Sequence, residues 1–120
     1  MINIEVDRKK LSIKLSGHAD YAGKGADDIV CSASSMLIYT FCDYIMKNEK
    51  KYIHGKFIRY IEPGNTYIEL EPNMDYYSEV SAMYDMIVNG YRLLEKNYPE
   101  NVRLNEKIYV YGLDNKRKII

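Results

Sequence analysis

Gly17-His18-Ala19-Asp20-Tyr21-Ala22-Gly23-Lys24-Gly25-Ala26-Asp27-Asp28-Ile29-Val30-Cys31 joins two hydrophobic periods, and that join decides the fold. Before it, Leu11, Ile13 and Leu15 alternate with Ser12, Lys14 and Ser16, the two-residue period of a half-buried strand. After it, Val30, Ala33, Leu37, Phe41 and Tyr44 recur at three- and four-residue steps, as one face of a helix requires. Ile29, Met36 and Ile45 widen that stripe, so the helix is expected to be covered on more than one side. The stretch is thus predicted to be a glycine-rich loop, with His18 where a strand ends and Cys31 in the first turn of a helix. Asp27 or Asp28 suits the N-cap, and an acid there also suits the helix dipole. An opening helical turn offers free N–H groups and a positive dipole end, which favour a thiolate over a thiol. A nearby imidazole can take the thiol proton.

Working outward, Ile2, Ile4 and Val6 alternate with Asn3, Glu5 and Asp7, so residues 2–7 and 11–15 are predicted to form a hairpin. The first helix is expected to run to about Asn48 and to stop at Lys47-Asn48-Glu49-Lys50-Lys51. Lys56 to Glu62 and Tyr67 to Glu71 flank Pro63-Gly64-Asn65, a strong turn signal, and predict a second hairpin. A second helix from Asp75 to about Tyr98 follows from Val80, Met83, Ile87, Tyr91, Leu94 and Tyr98, and Pro99 stops it. Gly90 falls on that stripe and is expected to mark a close approach to another element. Ile108-Tyr109-Val110-Tyr111 has the composition of a short strand, ahead of a polar tail. The order β-β-α-β-β-α predicts an α+β fold, an antiparallel sheet packed with two helices. Residues 1–106 form the domain in this reading, and 107–120 a C-terminal extension.

Seventeen basic and seventeen acidic residues leave no net charge, so nucleic acid and anionic membrane are not expected as partners. No uninterrupted apolar run reaches the roughly 18 residues that a bilayer span needs. Residues 1–7 lack the charged-then-apolar layout of a signal peptide, so a cytoplasmic location is expected. Cys31 and Cys42 lie eleven helical positions apart, roughly 16 Å, beyond disulfide reach. Both are expected to be free thiols, Cys31 as a candidate nucleophile and Cys42 as core filler.

His18 is the better candidate base, because His54 lies in Tyr52-Ile53-His54-Gly55, a connection with no catalytic company. Asp20, Asp27 and Asp28 with His18 and Cys31 invite a metal reading, but paired histidines and CxxC spacing are missing. Gly23-Lys24-Gly25 is glycine-rich but lacks the GK[ST] ending of a phosphate loop. No metal and no cofactor are expected.

Gly17-His18-Ala19, Gly25 and Asp28-Ile29-Val30-Cys31-Ser32-Ala33-Ser34-Ser35 together resemble the GHA…G…DIVCAAxS signature of the Prp proteases, ribosomal-processing cysteine proteases. The resemblance extends to the element order and to the closing segment Tyr98-Pro99-Glu100-Asn101-Val102-Arg103-Leu104. It implies a cytoplasmic, homodimeric cysteine endopeptidase that removes a short N-terminal extension from large-subunit ribosomal protein L-twenty-seven, cutting after an aromatic residue. By position it implies that Cys31 is the nucleophile and His18 the general base. It further implies that Asp28 supports the loop and site, that Ser35 lies near the substrate and that Gly17 lets the loop hinge. N–H groups at the helix start are then expected to stabilise the oxyanion. His18 and Cys31 are thirteen positions apart here, one more than the family spacing, with the extra residue at Gly25-Ala26-Asp27. The alternative is a non-catalytic ribosome- or protein-binding module of the same fold, presenting some of the thirteen tyrosines to its partner.

Overall fold

A computed structural model describes residues 1–23 and 26–107. The first hairpin forms from β1 (Ile2–Asp7) and β2 (Ser12–Ser16), with Ile4 opposite Leu15 and Val6 opposite Ile13. Its connection turns through Leu11, whose side chain is buried although its backbone adopts a φ of +48°. After the loop come α1 (Ile29–Lys47) and a single helical turn, α2 (Glu49–Tyr52). The second hairpin pairs β3 (Ile53–Glu62) with β4 (Asn65–Pro72). A short 3-10 turn at Met74–Tyr76 leads into α3 (Tyr77–Asn97), and β5 (Val102–Lys107) closes the described chain.

The strand order is β3-β4-β2-β1-β5. β2 and β4 pair antiparallel and so join the two hairpins, whereas β5 runs parallel to β1. The fold is α+β as the hydrophobic periods predict, but the fifth strand makes the sheet mixed rather than purely antiparallel. Only Val102 and Leu104 supply apolar alternation there, and the polar Asn105-Glu106-Lys107 hides the rest. The strand expected at 108–111 lies outside the described residues.

One face of the sheet is buried. Ile2, Ile4 and Val6 enter the core while Asn3 and Glu5 point to solvent, the alternation of a sheet covered on one side. α1 and α3 cover that side and meet through an edge-to-face contact of Phe41 and Tyr84, ring centres 6.3 Å apart. Two phenols anchor the helices through donated hydrogen bonds: Tyr84 to the Ser12 carbonyl at 2.8 Å and Tyr91 to the Ser34 carbonyl at 2.7 Å.

The buried stripe of α1 is Val30, Ser34, Ile38, Phe41, Cys42 and Ile45. It is rotated from the expected one: Ala33 and Tyr44 are exposed, as are Ile29 and Met36 that were expected to widen it, Leu37 is half-buried, and Ser34 and Cys42 are buried in their place. Leu37 instead faces α3, where a Cβ on Gly90 would stand 2.7 Å from its Cδ2, the close approach expected of that glycine. By length and composition alone, α1 is apolar enough to cross a membrane. Here its buried stripe is part of the core.

Candidate active site

His18 follows β2 after Gly17, and its position is set by two glycines. Gly17 has a φ of +90°, and a Cβ there would fall 2.3 Å from the Met1 carbonyl oxygen. This is both left-handed backbone and a space with no room for a side chain. Its N–H donates to the Gly64 carbonyl at 3.0 Å, tying the end of β2 to the β3–β4 turn. Pro63 and Gly64, with a Gly64 φ of +74°, form that turn in the pattern of type II. The His18 imidazole lies on Gly64: a Cβ there would be 2.7 Å from Nε2. The turn was legible in the sequence; its place beneath the histidine was not.

Asp28 caps α1. One carboxylate oxygen accepts the N–H groups of Val30 and Cys31, each at 3.0 Å, and the other accepts the Tyr21 N–H at 3.1 Å. The same carboxylate therefore closes the helix and holds the loop against it. Desolvation pushes the Asp28 carboxyl up, but the N–H groups of Cys31, Tyr21, Val30 and Ala22 outweigh it and hold the group below the usual carboxylate range. The cap has a further consequence. At the helix start, where oxyanion donors are expected, the Val30 and Cys31 N–H groups are engaged by Asp28, and the Ser32 N–H bonds the Asp28 carbonyl at 3.0 Å.

Cys31 is half-buried at the start of α1. Its sulfur accepts the Ala19 N–H at 3.4 Å, so the residue beside His18 touches the thiol directly. His18 and Cys31 line one cleft of about 230 Å³ together with Gly17, Ser35, Tyr39 and Ile61. Gly17 and Ser35, singled out by resemblance, therefore border the same space, whereas Asp28 does not line it and is tied to the backbone of Tyr21, Val30 and Cys31. Asp20 and Asp27 are exposed; Asp20 bends the loop with a φ of +55°. Lys24 and Gly25, part of the glycine-rich segment weighed above, lie outside the described residues. His54 sits on β3 rather than in a connection, exposed and away from the cleft. Cys42 is buried beside Met46, and burial pushes its thiol up, as expected of core filler.

Tyr39, Ile61 and the Pro63-Gly64 turn were not foreseen as part of the cleft. Tyr39 is eight residues beyond Cys31, a spacing that repeats the same side of a helix and was available as a signal. The turn needed knowledge of strand pairing. Asn101 was also missed: its side-chain amide donates to the Ala19 carbonyl at 2.9 Å across 82 residues of chain.

A family model, described as cysteine protease Prp, matches residues 1–103. No match was found among curated proteins. Among solved structures, the fold is similar to an essential ribosomal processing protease Prp from S. aureus in complex with a covalently linked product peptide. That match has 21% identity and a TM-score of 0.70, covering 89% of this chain and 100% of that one. The same S. aureus protease in complex with a substrate peptide matches at 20% identity and a TM-score of 0.68, with 89% and 100% covered. A Streptococcus mutans structure matches at 21% identity and a TM-score of 0.63, with 88% and 94% covered. With the family model spanning the hairpins, both long helices and the start of β5, the chain belongs to the cysteine protease Prp family.

Proposed function

We propose that Cys31 is the nucleophile and His18 the general base of a peptide hydrolysis. On this reading the enzyme removes the N-terminal extension of large-subunit ribosomal protein L-twenty-seven. The observation that carries the proposal is the shared cleft, where Cys31 and His18 both line the wall and the Ala19 N–H reaches the sulfur at 3.4 Å. The peptides bound by the S. aureus protease support a peptide substrate.

In this mechanism His18 takes the thiol proton and the Cys31 sulfur bonds to the scissile carbonyl carbon. The peptide C–N bond then breaks, and the imidazolium returns the proton to the leaving amine. Water, losing a proton to His18, attacks the thioester; the C–S bond breaks and the thiol is restored. The apolar lining from Leu15, Ile38 and Ile61, with the Tyr39 ring, suits a large apolar side chain beside the cut. Asp28 serves by fixing the loop to the helix, and Ser35 borders the bound peptide.

The test is cleavage of a peptide spanning the cognate extension by wild type and His18→Ala. One cut after an aromatic residue, slowed at least about a hundredfold without the imidazole, is expected from the loss of general-base assistance. Cleavage unaffected by the His18 change would remove the base assignment. Binding with no cleavage by wild type would favour the non-catalytic module. A cytoplasmic homodimer completes the proposal, on the strength of the family resemblance; a monomer mass by light scattering at assay concentration would contradict the dimer.

A further inference from the structure

Ala19 is fully buried although exposed residues flank it on both sides, and both of its backbone polar groups are held. Its carbonyl accepts the Asn101 side-chain amide at 2.9 Å, and its N–H donates to the Cys31 sulfur at 3.4 Å. Asn101 is itself fixed, with its N–H on the Tyr98 carbonyl at 3.0 Å and its carbonyl accepting the Ile2 N–H at 2.8 Å. A second grip lies three residues away in the same turn, where the Tyr98 ring meets the Tyr21 ring edge-on at 5.2 Å. The turn after α3 thus holds the His18 loop at two points, while the helix N–H groups nearest the sulfur are engaged by Asp28.

We infer that Asn101 is a positioning residue for the Cys31 thiol, acting through Ala19. By fixing the Ala19 carbonyl it keeps the Ala19 N–H aimed at the sulfur. The hydrogen bond from the Ala19 N–H fixes where the Cys31 sulfur stands in the cleft it shares with His18. The Ala19 nitrogen is bonded to the His18 carbonyl carbon, so the same grip fixes where the His18 backbone stands relative to Cys31. Without it, the loop keeps its Asp28 and Gly64 attachments but the donor drifts off the sulfur.

This inference rests on Cys31 being the nucleophile, and the experiment separates the two. Asn101→Asp keeps the size of the side chain and replaces its donor with a carboxylate oxygen facing the Ala19 carbonyl. The expected result is iodoacetamide alkylation of Cys31 slowed about tenfold, with Cys42 unchanged, and kcat reduced similarly while KM stays within about twofold, the scale of one hydrogen bond to the sulfur. In the wild-type background, the Ala19 amide proton resonance is expected to shift when Cys31→Ala removes the sulfur. A folded Asn101→Asp protein that alkylates and turns over at wild-type rates overturns the inference. So does an Ala19 amide indifferent to Cys31→Ala, a readout that does not depend on how the Asn101 variant folds. Alkylation and the amide resonance need no cleavage, so full activity in Cys31→Ala would dismiss the nucleophile assignment and leave these two readouts to decide the contact itself.

Discussion

Gly64 and Asp28 each do two things at once, and each can be tested alone. Alanine at Gly64 meets a φ of +74° and an imidazole nitrogen 2.7 Å away, so the ring must swing off the turn. If His18 is the general base as proposed, Gly64→Ala is expected to lower kcat/KM by tenfold or more, because small displacements of a catalytic group are costly, while shifting stability by about 1 kcal/mol. Steady-state kinetics beside a urea melt separates the two effects. For Asp28, a carboxyl held below its usual value of 3.8 contributes stability that is present above that value and is lost as pH falls through the lower folded-state value. Asn at this position still accepts hydrogen bonds but does not titrate. The stability gap between wild type and Asp28→Asn is expected to narrow below pH 3.8, as measured by urea melts across pH. Much of this was legible in sequence, because capping chemistry is local: an acid ahead of an apolar periodic run reads as an N-cap. The Ala19 donor was not legible, since an alanine gives no side-chain signal and the contact belongs to its backbone.

At the scale of elements, hydrophobic periods located both hairpins and both long helices, but not the buried face of α1. The α1 stripe is rotated from the expected one: polar Ser34 takes a core position, and Cys42, expected as core filler but not counted in the stripe, lies on the buried face. β5 was missed because its last three residues are polar and its pairing with β1 is decided by the return of the chain after α3. The helix contact was legible in part through Gly90. Alanine there gains about 1 kcal/mol of helix propensity and needs only the end of Leu37 to yield, so Gly90→Ala is expected to be close to neutral. Gly90→Val adds branches that must displace Leu37 and is expected to cost about 1–3 kcal/mol, read from the urea midpoint.

Across the whole molecule, the cleft exists because β2 and β4 are neighbours, with Ser16 opposite Asn65. That pairing brings the second hairpin's turn to the end of β2 and so to His18, while α1 starts on the other side of the loop. No local pattern states which strands of two hairpins become adjacent, which is why Gly17, His18, Cys31 and Ser35 could be singled out in the sequence while Ile61 and the Pro63-Gly64 turn that share their cleft could not. The same packing buries Tyr84 and Tyr91, and burial pushes both phenols well above their usual value of 10.0. They contribute stability that is full below that value and is lost as pH rises past it. Tyr91→Phe removes the hydrogen bond to Ser34, at a cost of about 1 kcal/mol at neutral pH, and the gap from wild type is expected to close above pH 10.0.

The central claim is that this chain cuts peptides with Cys31. It is tested most directly by assaying the cognate extension peptide with Cys31→Ala beside Cys42→Ala, both first shown to be folded. Cleavage abolished in Cys31→Ala and retained in Cys42→Ala is the expected result. Cleavage that survives in folded Cys31→Ala would contradict the claim.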